Sequence, residues 1–454
     1  MTVPADAPIL STAAMRGAEL AMTARGVSLS ELMERAGAAV ADLVWRTAAG
    51  RSILILCGPG NNGGDGYVAA RLLAERGADI RITASAPPAT DLARAAAARW
   101  SGPVEPLATA RPGAVLVDAL FGVGLTRPLA PELIAAVGRL AQAAERRIAV
   151  DVPSGVASDS AACLSPGPDM DLTIALGALK NAHVLLPAAV RCGVVHLADI
   201  GIAMDAPVRT LANDPSLFPD AVSHKYSRGQ LLVIAGPMVG AAGLAANAAL
   251  RAGAGHCLLH GASAQAAQAV VRDMLPLAER LRDRRLGAIV LGPGSAAGTE
   301  LTAMATHVVA AGKPVVLDAA AIDAGLPILA AGGMVRPPAI LTPHSGEFDR
   351  VFGVTGDSKI DRTLAAARQS GAVVIHKGAD TIIAAPDGRA VAAWPGSPHL
   401  ASAGTGDVLA GACGAMLAQG FAPFQAACRA VAWHIAQAHR VGPGLIADDL
   451  VELT

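Results

Sequence analysis

The sequence predicts two doubly wound α/β domains, in which helices cover both faces of a mostly parallel sheet. Short apolar runs alternate with longer helical patterns along both halves of the 454-residue chain, and this alternation is typical of parallel sheets. It stops at residues 206–229, where Pro, Asp and Asn accumulate, so we place a domain boundary at about residue 215. We therefore expect domains at residues 1–215 and 216–454, each long enough to bury its own core.

The first strand runs into a segment that is dense in glycine, GPGNNGGDG (58–66). A helix is predicted to follow from Tyr67 to Glu75, and its first amides would face an anion bound by this segment. The glycines favour close approach of a ligand over a plain tight turn, because each glycine costs roughly 0.5–1 kcal/mol in a regular element. Asn61, Asn62 and Asp65 add polar side chains that a dinucleotide-binding turn does not require, so they are candidate ligands.

Two further strands of this half end in an aspartate. The segments AVLVDALFGVGL and IAVDVPSGV run from apolar residues into Asp118 and Asp151, and then into glycine or serine. Ligands of open parallel sheets bind beyond the carboxyl ends of the strands, so we expect both aspartates to join the glycine-dense segment at one crevice. A helix N-cap is the alternative for either aspartate alone. Because Asp151 directly follows a strand, we expect its side chain to be replaceable without loss of a core contact.

The C-terminal half repeats the alternation with different motifs. In chain order they are a strand and glycine turn at 229–243, IVLGPGS (289–295), PVVLDAAAI (314–322), TPHSGEF (342–348), KGADT (377–381) and SAGTGDVLAG (402–411). The strongest signal is GTGD at the start of a predicted helix, because its amides can bind a transferring phosphoryl group while Asp407 accepts a proton from the attacking hydroxyl. A capped helix is the alternative. We interpret His344 as a ligand and His376 as a core histidine satisfied by the backbone.

Composition and charge narrow the classes of function. The chain has 36 Lys and Arg against 37 Asp and Glu and no basic stripe, so neither nucleic acid nor an acidic membrane surface is expected as a partner. The uncharged stretches 229–250 and 408–428 are interrupted by Gly and Pro, so neither is expected to span a membrane. The 6 cysteines lack a Cys-x-x-Cys spacing, and no secretory signal is evident. This pattern indicates reduced thiols, no zinc site and a cytoplasmic location.

The segments RGVSLSELMERAG, GPGNNGGDG, DALFGVGL and DVPSGV, in this order, resemble the NAD(P)H-hydrate epimerase family, the YjeF N-terminal domain, over about residues 9–205. The resemblance implies a Rossmann-like three-layer α/β/α domain that interconverts the R and S forms of hydrated NADH and NADPH. It implies that Asp151 is the catalytic carboxylate, in keeping with general acid–base chemistry. Lys180 falls where the family has a lysine, and a structural and a functional role are equally open for it.

The same resemblance implies two sets of ligands. The hydrated nucleotide would be bound by Asn61, Asn62, Gly63, Gly64, Asp65, Gly122, Val123, Gly124, Leu125, Thr126, Arg127, Pro128 and Asp151. A potassium ion would be held by Asn62, Asp118 and Ser154. An amide, a carboxylate and a hydroxyl supply only oxygen donors, which suit a hard and weakly charged cation.

The motifs of the C-terminal half resemble the ADP-dependent NAD(P)H-hydrate dehydratase family, the YjeF C-terminal domain of the ribokinase-like superfamily, over about residues 218–452. The resemblance implies that the C6 hydroxyl of the S hydrate is phosphorylated from ADP, with magnesium on the nucleotide phosphates. Loss of phosphate then regenerates NADH or NADPH, and AMP remains.

This second resemblance also implies site residues. The nucleotide would be bound by Lys377, Gly378, Ala379, Asp380, Thr381 and Gly406. The hydrate would be contacted by Ala241, Gly294, His344 and Asp407, with Asp407 as the base. One departure concerns GSPHLAS (396–402), which stands where the family has an Asn-Pro-Gly-Met-like stretch. The shape of that loop is therefore open.

The two resemblances together predict a bifunctional enzyme for the repair of hydrated nicotinamide nucleotides. A ribokinase-type small-molecule kinase fused to a nucleotide-binding scaffold domain is an alternative, because GTGD permits other hydroxyl acceptors, but the epimerase-like half argues against it. A nicotinamide dehydrogenase is disfavoured by the Asn-rich turn. A binding module that has lost its chemistry is disfavoured by the intact Asp151 and Asp407. The expected partners are NADHX, NADPHX and ADP, and we expect a homo-oligomer.

Overall fold

The computed structural model describes residues 2–202, 204, 206–212, 222–238, 240–261, 266–331 and 337–452. The chain divides into two units, Met1–Thr210 and Leu211–Thr454. The boundary that the sequence predicts, at about residue 215, lies outside the described residues. None of the helices in the described ranges combines the length and the apolar character that a membrane span requires.

The first unit is built on a seven-stranded sheet whose neighbouring strands are all parallel. The strands of this sheet are β1 Ile53–Cys57, β2 Ile80–Ala84, β3 Val104–Pro106, β4 Val115–Ala119, β5 Arg146–Val150, β6 Leu172–Leu176 and β7 Val194–Ala198. A short strand that is not part of this sheet, β8 Val208–Thr210, follows in the chain. Its helices are α1 Thr12–Ala24, α2 Leu29–Ala48, α3 Asn61–Glu75, α4 Asp91–Ala98, α5 Pro131–Ala143 and α6 Ala188–Arg191. The strand order is β3-β2-β1-β4-β5-β6-β7. The order reverses between β1 and β4, which opens a crevice at their carboxyl ends.

The central strands of this unit are buried on both faces. Every residue of β1 and of β4 is buried, as expected for near-continuous apolar runs in a parallel sheet covered by helices. The helix α2 begins at Leu29 because the Ser28 hydroxyl accepts a hydrogen bond from the Glu31 amide at 3.1 Å. It packs closely on α3, since a β-carbon at Gly37 would lie 2.5 Å from the Val68 β-carbon. These contacts hold α3 at the crevice.

The glycine-dense segment is the start of a helix, and in this respect the prediction is wrong. The helix α3 begins at Asn61, six positions before Tyr67. The reason for most of the glycines is protein packing, because a β-carbon would lie 1.7 Å from the Leu120 carbonyl oxygen at Gly58 and 1.9 Å from the Gly58 carbonyl oxygen at Gly63. Gly64 faces the Met33 side chain and Gly66 faces Ala119 in the same way. Gly60, the N-cap, has open space where its β-carbon would be.

The second unit also has one sheet with helices on its faces. Its strands are β9 Gln230–Ile234, β10 His256–His260, β11 Val271–Asp273, β12 Leu286–Leu291, β13 Val315–Leu317, β14 Ala339–Leu341, β15 Val373–His376, β16 Thr381–Ala384 and β17 Ala390–Ala393. Its helices are α7 Ala241–Arg251, α8 Leu277–Arg280, α9 Thr299–Ala310, α10 Ala320–Ala330, α11 Ser345–Phe352, α12 Lys359–Ser370, α13 Thr405–Ala418 and α14 Pro423–Val441. These strands are ordered β11-β10-β9-β12-β13-β14-β15-β16-β17. The order reverses between β9 and β12, which marks a second crevice.

The predicted fold class of two doubly wound α/β domains is confirmed, with one addition in the second unit. The strands from β11 to β15 pair in parallel, whereas β15, β16 and β17 form an antiparallel meander. The helix α13 is buried almost all round, because its small residues allow backbone contact. A β-carbon at Gly411 would lie 2.0 Å from the Ala245 carbonyl oxygen, and one at Gly414 would lie 2.4 Å from Val290. This packing fixes the first turn of α13 beside α7.

Candidate active sites

A cavity of about 430 Å³ lies beyond the carboxyl ends of β1 and β4 in the first unit. The predicted residues that line it are Asn61, Asn62, Asp65, Gly122, Val123, Gly124, Leu125 and Asp151. Gly63 and Gly64 are instead buried in α3, and Thr126, Arg127 and Pro128 are exposed. Thus the structure brings together the polar residues of α3, the turn after β4 and Asp151, as predicted from the strand ends. Asp118, which was expected at the same crevice, is buried and does not line the cavity.

Asp151 has a left-handed backbone and a buried carboxylate. Its φ is +64°, a conformation that non-glycine residues seldom adopt and that is found at functional sites. Its Oδ1 accepts hydrogen bonds from Lys180 Nζ at 2.5 Å and from the Leu176 amide at 3.3 Å. Its Oδ2 faces the turn after β4, because a β-carbon at Gly122 would lie 3.2 Å from it. The carboxylate is therefore held through one oxygen and presents the other to the cavity.

The expectation that Asp151 can be replaced without loss of a core contact is wrong. The Lys180 side chain is only 1% exposed, and Asp151 is its carboxylate partner. Removing one member of a buried ion pair leaves an unpaired charge and destabilises a fold by about 3–5 kcal/mol. The sequence shows that Asp151 follows a strand, but it does not show that a cation from the segment after β6 reaches the same point. Asparagine is therefore a better probe than alanine at this position.

Two further carboxylates lie in this cavity with their pKa values raised. Burial raises the pKa of Asp65 well above its usual range, and the charges of Asp151 and Glu19 raise it further. Burial also raises the pKa of Glu19, although Lys180 opposes the shift. Sequence reasoning missed Glu19, which comes from α1. The signal was available, because Glu19 lies four residues after the buried Met15 and so shares its helix face.

The three residues predicted to hold potassium surround the turn after β4. The Asp118 carboxylate accepts hydrogen bonds from Ser154 Oγ at 2.7 Å, from the Ser154 amide at 2.9 Å and from the Leu120 amide at 3.2 Å. Ser154 Oγ in turn accepts a hydrogen bond from the Phe121 amide at 3.1 Å. A β-carbon at the adjacent Gly122 would lie 3.1 Å from Asn62 Oδ1. Asp118, Ser154 and Asn62 therefore all lie against the turn at residues 120–122.

The donor set fits a monovalent cation. Burial raises the pKa of Asp118, while its hydrogen bonds from Ser154 and Leu120 oppose the shift. Within the described part of the chain, the buried Asn62 Nδ2 has no hydrogen-bond partner. Rotation of the Asn62 side-chain amide by 180° would place its oxygen where Nδ2 now lies, and that oxygen could then bind a cation. One carboxylate with neutral oxygens gives a site of low charge.

The second unit places Asp407 beside a half-buried lysine and a second carboxylate. Asp407 lies in the first turn of α13. Burial and the nearby Asp318 raise its pKa to about 6, and Lys377 opposes that shift. Lys377 Nζ donates to Asp318 Oδ1 at 3.1 Å, and a β-carbon at Gly406 would lie 3.2 Å from the same Nζ. Lys377 is therefore positioned between Asp318 and the first turn of α13.

Sequence reasoning gave no role to Asp318. Its Oδ1 also accepts a hydrogen bond from Thr342 Oγ1 at 2.6 Å, and its side chain is buried. Burial alone would lower the pKa of Lys377, but the carboxylates of Asp318 and Glu347 raise it above its usual value. The motif PVVLDAAAI contains the same strand-to-aspartate pattern as Asp118 and Asp151. That pattern was the signal that could have identified Asp318.

The predicted nucleotide-binding residues 377–381 form a tight turn between β15 and β16. Thr381 Oγ1 donates to the Gly378 carbonyl oxygen at 2.7 Å and accepts from the Gly378 amide at 3.1 Å. The Asp380 carboxylate accepts from Lys359 Nζ at 2.7 Å. Gly378 and Ala379 are exposed. The side chains of Asp380 and Thr381 thus shape the turn, and the backbone of Gly378 and Ala379 is left accessible.

The remaining predicted residues of this unit lie on neighbouring loops. His344 is adjacent to Lys377, because the Lys377 amide donates to the Pro343 carbonyl oxygen at 2.8 Å. His344 also caps α11, with its Nδ1 accepting from the Glu347 amide at 3.3 Å, and its side chain is 60% exposed. Gly294 is close to Ala241, since its β-carbon would lie 3.1 Å from that of Ala241. Leu244, on the same helix as Ala241, contacts Gly404 at the start of α13. Ala241 and Gly294 therefore lie on the side of α7 that packs against the helix carrying Asp407.

His376 is buried in the core, as expected, but its partners differ from those predicted. Its ring stacks on Phe348 with 4.0 Å between centroids. Its nitrogens contact the hydroxyls of Ser345 at 3.2 Å and Thr363 at 3.3 Å rather than the backbone. Burial lowers the pKa of His376 to about 3, so the ring is neutral and packs as an aromatic group.

Two protein families match the chain, one within each unit. A family described as YjeF-related protein N-terminus matches residues 29–182, and the NAD(P)H-hydrate dehydratase family matches residues 231–444. A solved ADP/ATP-dependent NAD(P)H-hydrate dehydratase of Bacillus subtilis, co-crystallised with ATP and Mg²⁺, is 32% identical. The alignment covers 52% of this chain and 90% of that one, with a TM-score of 0.43.

Relatives also match across both units. A bifunctional NAD(P)H-hydrate repair enzyme of Thermosynechococcus vestitus is 34% identical over 480 residues, covering 95% of this chain and 92% of that enzyme. The enzyme of that description in Escherichia coli is 32% identical over 472 residues, covering 96% of this chain and 90% of its own. These matches confirm both resemblances that the motifs indicate. The chain belongs to the family of bifunctional NAD(P)H-hydrate repair enzymes.

Proposed function

We propose that this chain carries out both reactions of its family at the two sites described above. The first unit interconverts the R and S epimers of hydrated NADH and NADPH at the cavity around Asp151. The second unit dehydrates the S epimer with ADP at the first turn of α13. The observation that supports this assignment most directly is that each unit places an aspartate beside a lysine at the carboxyl end of its sheet. Asp151 contacts the buried Lys180, and Asp407 lies near the half-buried Lys377.

Epimerisation at C6 requires the carbon to lose and regain its hydroxyl oxygen, or the ring to open and close. Either route moves a proton at one face of the ring. Asp151 Oδ2 faces the cavity, whereas Oδ1 is engaged by Lys180. We assign Oδ2 as the atom that accepts and returns this proton, which is general acid–base catalysis by a positioned carboxylate. The raised pKa of Asp65 favours its protonated form, so Asp65 can donate a hydrogen bond to the substrate.

Dehydration in the second unit begins with phosphoryl transfer. Asp407 takes the proton of the C6 hydroxyl while its oxygen attacks the β-phosphorus of ADP, and AMP leaves. Lys377 and the amides at the start of α13 can stabilise the charge on the transferring group. The phosphate then departs from C6 and a proton is lost from C5, which restores the reduced nicotinamide ring. A divalent cation bound to the nucleotide phosphates would offset their charge.

The function is tested by supplying a mixed-epimer NADH hydrate and ADP to the whole chain. We expect the absorbance of reduced nicotinamide to return until both epimers are consumed, with AMP and phosphate formed in equal amounts to NADH. Phosphorylation of a vitamin or sugar in place of this repair would instead support the kinase alternative. If the S epimer is repaired but the R epimer is not consumed, the epimerase assignment is contradicted and the dehydratase assignment stands.

The potassium assignment predicts a cation-dependent stability of the first unit. A bound ligand stabilises the folded state by RT ln(1 + [L]/Kd), so potassium chloride should raise its unfolding temperature relative to tetramethylammonium chloride of equal concentration. The variant Asp118→Asn should lose this difference and should epimerise more slowly, since one carboxylate ligand is removed. Scanning calorimetry in the two salts measures the effect. An unchanged potassium increment in the variant, with full epimerase activity, would contradict the assignment.

The raised pKa of Asp407 predicts the pH dependence of dehydration. A base must be ionised to accept a proton, so kcat/KM should rise with pH to a plateau, with an inflection set by the Asp407 pKa of about 6. Because the Asp318 charge contributes to that raised pKa, Asp318→Asn should move the inflection to lower pH. If the inflection instead came from titration of the ADP phosphates, Asp318→Asn would leave it at the same pH. A pH profile that is identical in both proteins would show that the inflection belongs to the nucleotide.

A further inference from the structure

We propose that Lys180 and His183 form a two-point clamp on Asp151, which holds its backbone in the left-handed conformation and leaves Oδ2 free for proton transfer. This inference rests on the proposed role of Asp151 as the proton-transfer group of the epimerase. It gives Lys180 and His183 the role of positioning residues, which act through Asp151 and not on the substrate.

The Lys180 ammonium group is fully engaged inside the protein. Its Nζ donates to Asp151 Oδ1 at 2.5 Å, to the Leu176 carbonyl oxygen at 2.9 Å and to the Ala178 carbonyl oxygen at 3.0 Å. An ammonium has three donors, so no proton is left over for a substrate. The side chain is 1% exposed. Lys180 therefore fixes the carboxylate of Asp151 and does not itself act as an acid in this arrangement.

His183 holds the backbone of Asp151 from the other side. Its Nδ1 accepts a hydrogen bond from the Lys180 amide at 2.9 Å, which requires the proton to be on Nε2. Nε2 then donates to the Asp151 carbonyl oxygen at 2.7 Å. Burial, with the Lys180 charge, lowers the pKa of His183 to about 4, so this neutral tautomer persists at neutral pH. The ring thus connects the backbone of Lys180 to the backbone of Asp151.

The clamp opposes a backbone conformation that would otherwise relax. The φ of +64° at Asp151 is unfavourable for a residue with a β-carbon, and such strain persists where surrounding contacts over-determine it. Backbone contacts of Asp151 include its amide, which donates to the Ile174 carbonyl oxygen at 2.8 Å, and its carbonyl, which His183 holds. Rotation of this residue would swing the carboxylate away from Gly122. The clamp therefore determines where Oδ2 lies in the cavity.

A matched pair of substitutions at His183 separates the two halves of its contact. Glutamine places an amide N–H near the position of Nε2 and so can keep the bond to the Asp151 carbonyl. Asparagine places an acceptor near Nδ1 and so can keep the bond from the Lys180 amide, but it cannot reach Asp151. The exposed His196 of β7 supplies a control, His196→Asn. Lys180→Met removes the other point of the clamp.

The measurement is kcat and KM for epimerisation of the R hydrate by each whole-chain variant, with thermal unfolding and second-unit dehydration of the S hydrate recorded in parallel. A small misplacement of a catalytic group lowers rate on the order of 10²-fold. We therefore expect His183→Asn and Lys180→Met to lose kcat to that extent with KM nearly unchanged. His183→Gln should retain most of kcat, and His196→Asn all of it.

The possible outcomes separate this inference from the proposed function. If folded His183→Asn keeps the kcat of wild type, or if His183→Gln and His183→Asn lose kcat equally, the clamp is overturned, even where both variants unfold at lower temperature. If Lys180→Met fails to fold, the comparison of His183→Gln with His183→Asn still tests the clamp. Asp151→Asn is measured beside them. If that variant retains epimerisation, Asp151 is not the proton-transfer group, and the proposed function of the cavity fails first.

Discussion

Replacing Asp407 by asparagine should abolish ADP-dependent dehydration and leave epimerisation intact. The amide keeps the shape of the side chain but cannot accept the proton of the C6 hydroxyl, and loss of general-base catalysis lowers rates by about 10²–10⁴-fold. Loss of folding is not expected to contribute. The pKa of Asp407 is raised to about 6 in the folded state, so above that pH the ionised carboxylate destabilises the fold, and a neutral asparagine should be at least as stable.

Two assays on one preparation check this prediction. Return of reduced nicotinamide from the S hydrate and ADP reports dehydration, and chromatographic separation of the epimers without ADP reports epimerisation. Asp387→Asn is the matched control, because Asp387 is an exposed carboxylate of the same unit that pairs with Arg389 at 2.7 Å, and an exposed pair contributes little to stability. Loss of both activities in a folded Asp407→Asn protein would contradict the independence of the two sites.

The fold class followed from the sequence because parallel sheets leave a simple pattern. Strands covered on both faces, such as β1, are continuous apolar runs, and their alternation with helices is visible without tertiary information. The meander of β15, β16 and β17 was not predicted, since buried antiparallel strands give the same apolar runs. The start of α3 was missed for a related reason. Glycine is unfavourable in helices on its own, and the close contacts that favour it at Gly64 and Gly66 of α3 are tertiary.

The site residues that could be predicted are those at strand ends. Asp151 follows this rule and lines the cavity, whereas Asp118 also follows a strand but lies in the hydrogen-bond network beside the adjoining turn. Residues that reach a site from other elements leave a weaker signal in the sequence, such as the helix face that Glu19 shares with the buried Met15. Glu19 arrives from α1, and Lys180 reaches Asp151 across 29 positions of the chain. Their contribution depends on burial and on the charges around them, which are properties of the folded structure.

Asp151→Asn should convert complete repair of a mixed hydrate into repair of the S fraction only. The asparagine Oδ1 can still accept from Lys180 and from the Leu176 amide, and asparagine tolerates the left-handed backbone, so the buried lysine keeps a partner. The variant lacks the carboxylate that moves the proton, and epimerisation should fall by about 10²–10⁴-fold. With ADP in excess, dehydration by the second unit should then drain the S epimer and stop.

Progress curves of reduced-nicotinamide absorbance measure this outcome. Wild type should run through a fast phase to completion, whereas the variant should pause at the S fraction and continue only at the rate of spontaneous epimerisation. Asp42→Ala is a suitable control, since Asp42 is a half-exposed residue of α2 that pairs with Arg76 and does not line the cavity. Adding a small amount of wild-type chain to the stalled reaction should restart it, because the remaining R hydrate is intact. Curves that are the same for wild type and Asp151→Asn would show that another group performs the epimerisation.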